Sequence, residues 1–261
     1  MFGLGAIVGG ICSAFSCAAG FIGSGISAVA GAIGGFASSI GSALVSGATS
    51  LVSTISSIGA KLLGKASIGE VISGIGKIIG LFTSDDKEDI DDLGYRACQS
   101  NEKPEDFDSI EQYIQHLKKD IQYNKEQARA EMKENPVKKY AYAAVGATIA
   151  GNGISEKLGI NLGDKGVTAL GLIHRAAPYM TDNNFVDFLS KLKANGYRDM
   201  SDIFSYFQGR GNIDFVKTGT DIKNAMSGMD FGTKSVDESV NDIKNEFQKN
   251  ENQRYKEENP K

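Results

Sequence analysis

Residues 1–60 contain no Asp, Glu, Lys, Arg or His. This restricts the fold more than any other feature of the chain, because a helix with no charged face cannot show the usual polar side to water. Between Ile22 and Ile40 the only large side chains are Ile22, Ile26, Val29, Ile33, Phe36 and Ile40, and every other residue is Gly, Ala or Ser. The large residues step by 4, 3, 4, 3 and 4, which is the helical period and not the strand period. Two further runs continue it: Leu51, Ile55, Ile58, Leu62, and then Ile68, Ile72, Ile75, Ile79, Phe82. Extra steps near Leu44 and Lys65 break the register, so the stretch reads as two or three helical pieces.

Such helices are poor in water, since each interior Gly costs about 1 kcal/mol relative to Ala. Either a bilayer makes backbone hydrogen bonding compulsory, or other helices pack closely against them. Small residues along one face allow close helix approach in membranes. Gly31 and Gly35 form one GxxxG pair, Gly5 and Gly9 another, and Gly34 and Gly41 extend the small face. The expected membrane and helix-packing set is therefore Gly5, Gly9, Ile22, Ile26, Val29, Gly31, Ile33, Gly34, Gly35, Phe36, Ile40 and Gly41. From residue 57 to 82, Lys61, Lys65 and Lys77 enter the apolar pattern with Glu70. That composition fits a basic amphipathic helix in a membrane interface, with the three lysines as its interfacial cations.

Beyond residue 82 the composition becomes ordinary. "TSDDKEDIDD", residues 83–92, reads as the start of a solvated acidic linker running through Pro104 to residue 107. Ser109 and Gln112 have capping-box spacing ahead of a stripe of Ile110, Ile114, Leu117 and Ile121, in a helix expected to stop at Asn135 before Pro136. "YAYAAVGATIAG", residues 140–151, predicts a small-residue helix, short for a membrane span and suited to a core. A helix over Val167–Ala177 follows a Gly-punctuated stretch. Thr181 or Asp182 caps another carrying Phe185, Phe188, Leu189 and Leu192, closed by Asn195 and Gly196. Shorter helices are expected around Phe204 and over Phe215–Met226. Ser235 and Glu238 open a last one, striped by Val236, Val240, Ile243 and Phe247, whose polar tail should fray after Gln248. Strand signals are scarce. The expected fold is all-α: a Gly/Ala/Ser-rich membrane-active helical segment (1–82), an acidic linker (83–107), a compact soluble helical domain (108–234), and an amphipathic helix with a polar tail (235–261).

Reactive chemistry is thinly represented. The three cysteines, Cys12, Cys17 and Cys98, lack CxxC spacing and make no disulfide framework. With His116 and His174 the only histidines, no zinc-ligand spacing arises. "GNGISE", from Gly151, puts Glu156 where a dinucleotide fingerprint needs its third Gly. Walker, GxSxG and HExxH patterns are absent. The expectation is a protein that is not an enzyme and holds no cofactor or metal. A formal net charge of −4 and the acidic residues beside "NGYRDM" give no specific nucleic-acid site.

The opening "MFGLGAIVGGICSAFSCAAG" resembles the N-termini of bacteriophage DNA pilot and ejection proteins. The likeness is strongest to microvirus pilot proteins, in the Met-Phe-Gly start and "AIVGGICSA", residues 6–14. It implies a membrane-seeking start without a positively charged export signal, followed by helical segments that help a genome cross an envelope. The long coiled coil of pilot proteins has no counterpart here. The expected function is accordingly membrane insertion with homo-oligomerisation, as a virion protein in membrane penetration and DNA ejection. The alternative is a pore-forming toxin or effector delivered by a secretion system, for which a chaperone, adaptor or immunity protein is the fitting partner. A resident membrane protein is disfavoured because Gly and Ser leave each span only marginally insertable. Either favoured reading puts the protein in a virion or a delivery route first and in a target-cell membrane afterwards.

Overall fold

The computed structural model describes residues 24–58, 68–83, 90–177 and 179–258. Gly5, Gly9, Ile22, Lys61 and Lys65 lie outside them. Among the described residues there are twelve α-helices, one short 3-10 turn and no strand. The helices are α1 (Ser24–Gly35), α2 (Ala37–Ile58), α3 (Ile68–Ile78), α4 (Ile90–Gln99), α5 (Ile110–Lys119), α6 (Lys125–Glu134), α7 (Pro136–Leu158), α8 (Gly163–Ala176), α9 (Asp182–Ala194), α10 (Ser201–Gln208), α11 (Phe215–Met226) and α12 (Val236–Glu258). The all-α expectation holds.

Helix α7 is the hub. It packs against α1 to α6 and α8, while α8 carries α2, α3, α10 and α12 on its other sides. The small residues of "YAYAAVGATIAG" explain this position: Ala141, Ala144, Ala147 and Ala150 are buried, so several neighbours can approach one axis. The helix is longer than the twelve residues expected. Pro136 sits in its first turn, Asn135 caps Lys138 N, and Gly159 ends it at φ 62°. The interior glycines do not break it, because tertiary burial outweighs about 1 kcal/mol of propensity each.

Among the described glycines, the tightest backbone approach is between α4 and α7. A Cβ on Gly94 would overlap the Tyr142 carbonyl, and a Cβ on Gly146 would overlap the Ile90 carbonyl. Each glycine lies four residues after the residue whose carbonyl faces the other glycine, so the two backbones meet reciprocally.

Helix α4 lies inside the stretch expected to be a solvated linker, and that expectation is corrected here. Asp92 is 1% exposed; it accepts the Tyr123 hydroxyl and lies 3.4 Å from Lys125 Nζ. Arg96 donates to the carbonyls of Leu117, Lys118 and Ile121 at 3.2, 3.4 and 2.8 Å, where α5 ends and its carbonyls lack helical partners. Its guanidinium stands 4.3 Å from the Tyr123 ring centroid. Protein groups packed around α4 thus face both charges.

The helix expected over 109–135 is two helices. Ser109 accepts from Gln112 N and starts α5, which ends at Asp120; Asn124 then caps α6. The caps read from sequence at Thr181 and Ser235 are present as two-way boxes. Helix α12 runs to Glu258.

Candidate functional site

The candidate site is the charge-free helical pair α1–α2 and its seat on the body. The stripe of large residues faces inward: Val29 is 5% exposed, and Ile33 and Ile40 are fully buried. Beyond them Leu44, Ala48 and Leu51 carry the buried line along α2. Phe36, in the turn between the helices, is half-buried and stacks on Tyr142 with centroids 5.4 Å apart. Ile26 lies within α1. The face turned away from the body is small. Ser27, Ala28, Gly31, Gly34, Gly35, Ala37 and Ser38 are exposed along α1 and its turn, followed by Ser42, Ala43, Ser46, Ser50 and Ser53 on α2.

The glycines of this pair are of two kinds. A Cβ on Gly31, Gly34 or Gly35 would meet nothing within 4 Å, so they make no close helix approach among the described residues. Gly41 is buried and has φ 75° and ψ 161°, which breaks the helical path inside α2. Only glycine occupies that backbone region without strain. The Glu105 carboxylate closes over it, with oxygens 2.9 and 3.2 Å from the place of a Cβ.

Three polar or aromatic contacts seat the pair. The first is Glu105 at the Gly41 bend. The second is Tyr142 under Phe36; its hydroxyl donates to Glu131 at 3.1 Å, and its ring meets Tyr95 edge-on at 5.2 Å. Burial, with the Glu131 carboxylate beside it, pushes the Tyr142 hydroxyl pKa upward. The third is Thr54, which donates to Asp164 on α8 at 2.5 Å. Apolar packing of α2 against α7 and α8 adds to these contacts. Of the basic residues expected at an interface, Lys77 lies half-buried on α3.

By length and composition, one described helix segment could cross a bilayer: Ala37–Ile55, 19 residues, 28% of it buried. Among the described residues no group of three or more His, Cys, Asp or Glu could hold a metal ion. "GNGISE" lies inside α7, with no loop to cradle a phosphate. His116 is held between Glu102 at 2.7 Å and Asp120 at 2.9 Å, and His174 packs 5.9 Å from the Phe185 ring.

Sequence reading missed the seat, comprising Glu105, Tyr142 and Asp164, and it also missed the Gly94–Gly146 contact between α4 and α7. A signal for α4 was present: Ile90, Leu93, Ala97 and Cys98 follow helical spacing and are all buried, though six acidic residues within 83–92 masked it. No protein-family model, curated protein or solved structure matches the chain.

Proposed function

We propose that this is a delivered membrane-inserting protein that carries its charge-free N-terminal helices folded onto a charged helical body and releases them into a target bilayer. The observation that supports this most is the sidedness of α1–α2: large residues packed inward, and an exposed face of Gly, Ala and Ser without a charge. In water, the inward packing hides the apolar stripe. In hydrocarbon, the same helices can turn the large side chains to lipid and the small faces to one another. Close approach, not hydrophobicity, drives helix association there. Gly31, Gly34 and Gly35 are open for such contact with a second copy, and no charge has to be carried into the bilayer.

The likeness of residues 6–14 to pilot proteins favours delivery from a virion in membrane penetration and genome ejection. The test is the full chain with vesicles of neutral and anionic lipid, at neutral and low pH, read by flotation and release of trapped dye. Flotation with dye release supports the reading, and a chain that stays free of lipid under all four conditions ends it. Expressing the chain in the cytoplasm and, separately, with an export signal separates the two settings: growth arrest from one side only marks a toxin, and its absence from both favours the virion role.

A further inference from the structure

We propose that Gly41 is a conformational switch between the seated and inserted forms of α2. The inference rests on the membrane-inserting reading above. In the seated form Gly41 holds φ 75° and ψ 161°, and the bend lies between two buried anchors, Ile40 and Leu44. The segment it interrupts is Ala37–Ile55, the one described stretch that is long and apolar enough to cross a bilayer. Straight, those 19 residues span about 28 Å at the α-helical rise, close to the hydrocarbon thickness of roughly 30 Å. Broken at Gly41, the helical part from Ser42 to Ile55 spans only about 21 Å and is too short. One residue's passage from the left-handed region to helical φ and ψ therefore turns a bent, seated helix into one of spanning length. Glu105 closes over the bend. Its carboxylate sits on a flexible side chain, so it can swing away without disturbing the core.

Gly41 is matched to this task because an L side chain would act on both forms in opposite senses. It is strained in the seated backbone region, which belongs essentially to glycine, and it favours the straight helix, where Ala outranks Gly. Gly41→Ala should raise the population of the unseated form about a hundredfold. A D-alanine in place of Gly41 should do the reverse, since the seated φ suits a D residue and a right-handed helix does not.

The experiment is hydrogen exchange of the full chain in water, without lipid, for three chains. These are wild type, Gly41→Ala, and a chain with D-alanine in place of Gly41, assembled by ligation at Cys98. The expected result is exchange over residues 37–55 about a hundredfold faster in Gly41→Ala and slower than wild type in the D-alanine chain. Exchange in α9 and α11, which pack on other helices, serves as the folding control and should not change. Exchange over 37–55 that is unchanged or slowed by Gly41→Ala, or that moves in the same direction in both variants, overturns the switch. Flotation on anionic vesicles is run in parallel. If exchange shifts as expected while no chain binds lipid, the backbone switch stands and the membrane reading fails. If all chains bind alike and exchange does not shift, the membrane reading stands and the switch fails.

Discussion

The reciprocal contact of Gly94 and Gly146 makes a sharp prediction, because each missing Cβ is replaced by partner backbone and not by a side chain that could turn aside. A methyl on Gly94 would lie 2.8 Å from Gly146 N as well as against the Tyr142 carbonyl, and one on Gly146 would lie 3.0 Å from Gly94 N as well as against the Ile90 carbonyl. Ordinary carbon contacts fall near 3.5–4.0 Å and the carbonyl overlaps are tighter than those to the amides, so α4 and α7 must separate by about 1.5 Å, which forfeits half or more of each dispersion well along the interface. Leu93, Ala97, Val145 and Ile149 are buried on these two helices and lose packing with them. Overpacking of this kind costs about 3–4 kcal/mol, at or just above the upper end of the usual range, and Ala returns about 1 kcal/mol of helix propensity. The net loss is about 2–3 kcal/mol for either Gly94→Ala or Gly146→Ala, or roughly 5–10 °C in melting temperature for a chain of this size. The double variant should lose less than the sum, since the first methyl has already parted the helices. Urea unfolding followed by circular dichroism measures all three. Either single variant unfolding within about 0.5 kcal/mol of wild type would refute the backbone-contact argument.

Gly31→Ala and Gly34→Ala should do the opposite. Among the described residues nothing stands within 4 Å of either added methyl, so each should stabilise the chain by about 0.5–1 kcal/mol, and a loss of stability in the same urea titration would show a neighbour outside those residues. Asp92→Ala removes the acceptor of the Tyr123 hydroxyl and the carboxylate facing Lys125; it should cost about 2 kcal/mol, and wild-type stability would mean the buried charge is not held as described. Burial raises the pKa of Cys98, Tyr113, Tyr123 and Tyr142. The unfolded chain therefore ionises first as pH rises, and stability should be level below about pH 9 and fall through pH 9–11, read as melting temperature against pH. A flat profile to about pH 11 would contradict it.

What the sequence disclosed and what it hid divide along the range of the interactions. The caps at Thr181 and Ser235 and the stripes of α9 and α12 were legible because partner and position lie within one or two helical turns. The break between α5 and α6 was not, since Ile121 continues the stripe of Ile110, Ile114 and Leu117 while its backbone has already left the helix. Its carbonyl instead accepts from Arg96, a donor 25 residues away that local periodicity does not report. For the same reason Asp92 and Arg96 read as solvated charges. The bend at Gly41 was equally hidden, because a glycine within a helical run carries no mark distinguishing a left-handed backbone from a small helix residue.

The glycines of the N-terminal helices and those of the body follow opposite physical logic. At Gly94 and Gly146 the absent side chain permits a backbone contact, and the packing of α4 on α7 offsets the conformational cost. At Gly31 and Gly34, both exposed, no such contact exists among the described residues, yet each still costs about 1 kcal/mol of helix stability. That loss weakens the seated form of α1 in particular, in which Val29 and Ile33 are the buried large side chains among the described residues. On the membrane-inserting reading proposed above, a helix weakened on its outer face and held by large side chains is one that a bilayer would win, because lipid accepts those side chains without needing a cavity shaped for them, and the small outer face would then supply close helix contacts. On this argument, filling Gly31 and Gly34 with methyl groups should tie the pair more firmly to the body and slow its transfer to vesicles, even though it makes the helices more apolar. Faster transfer would show that hydrophobicity alone governs release.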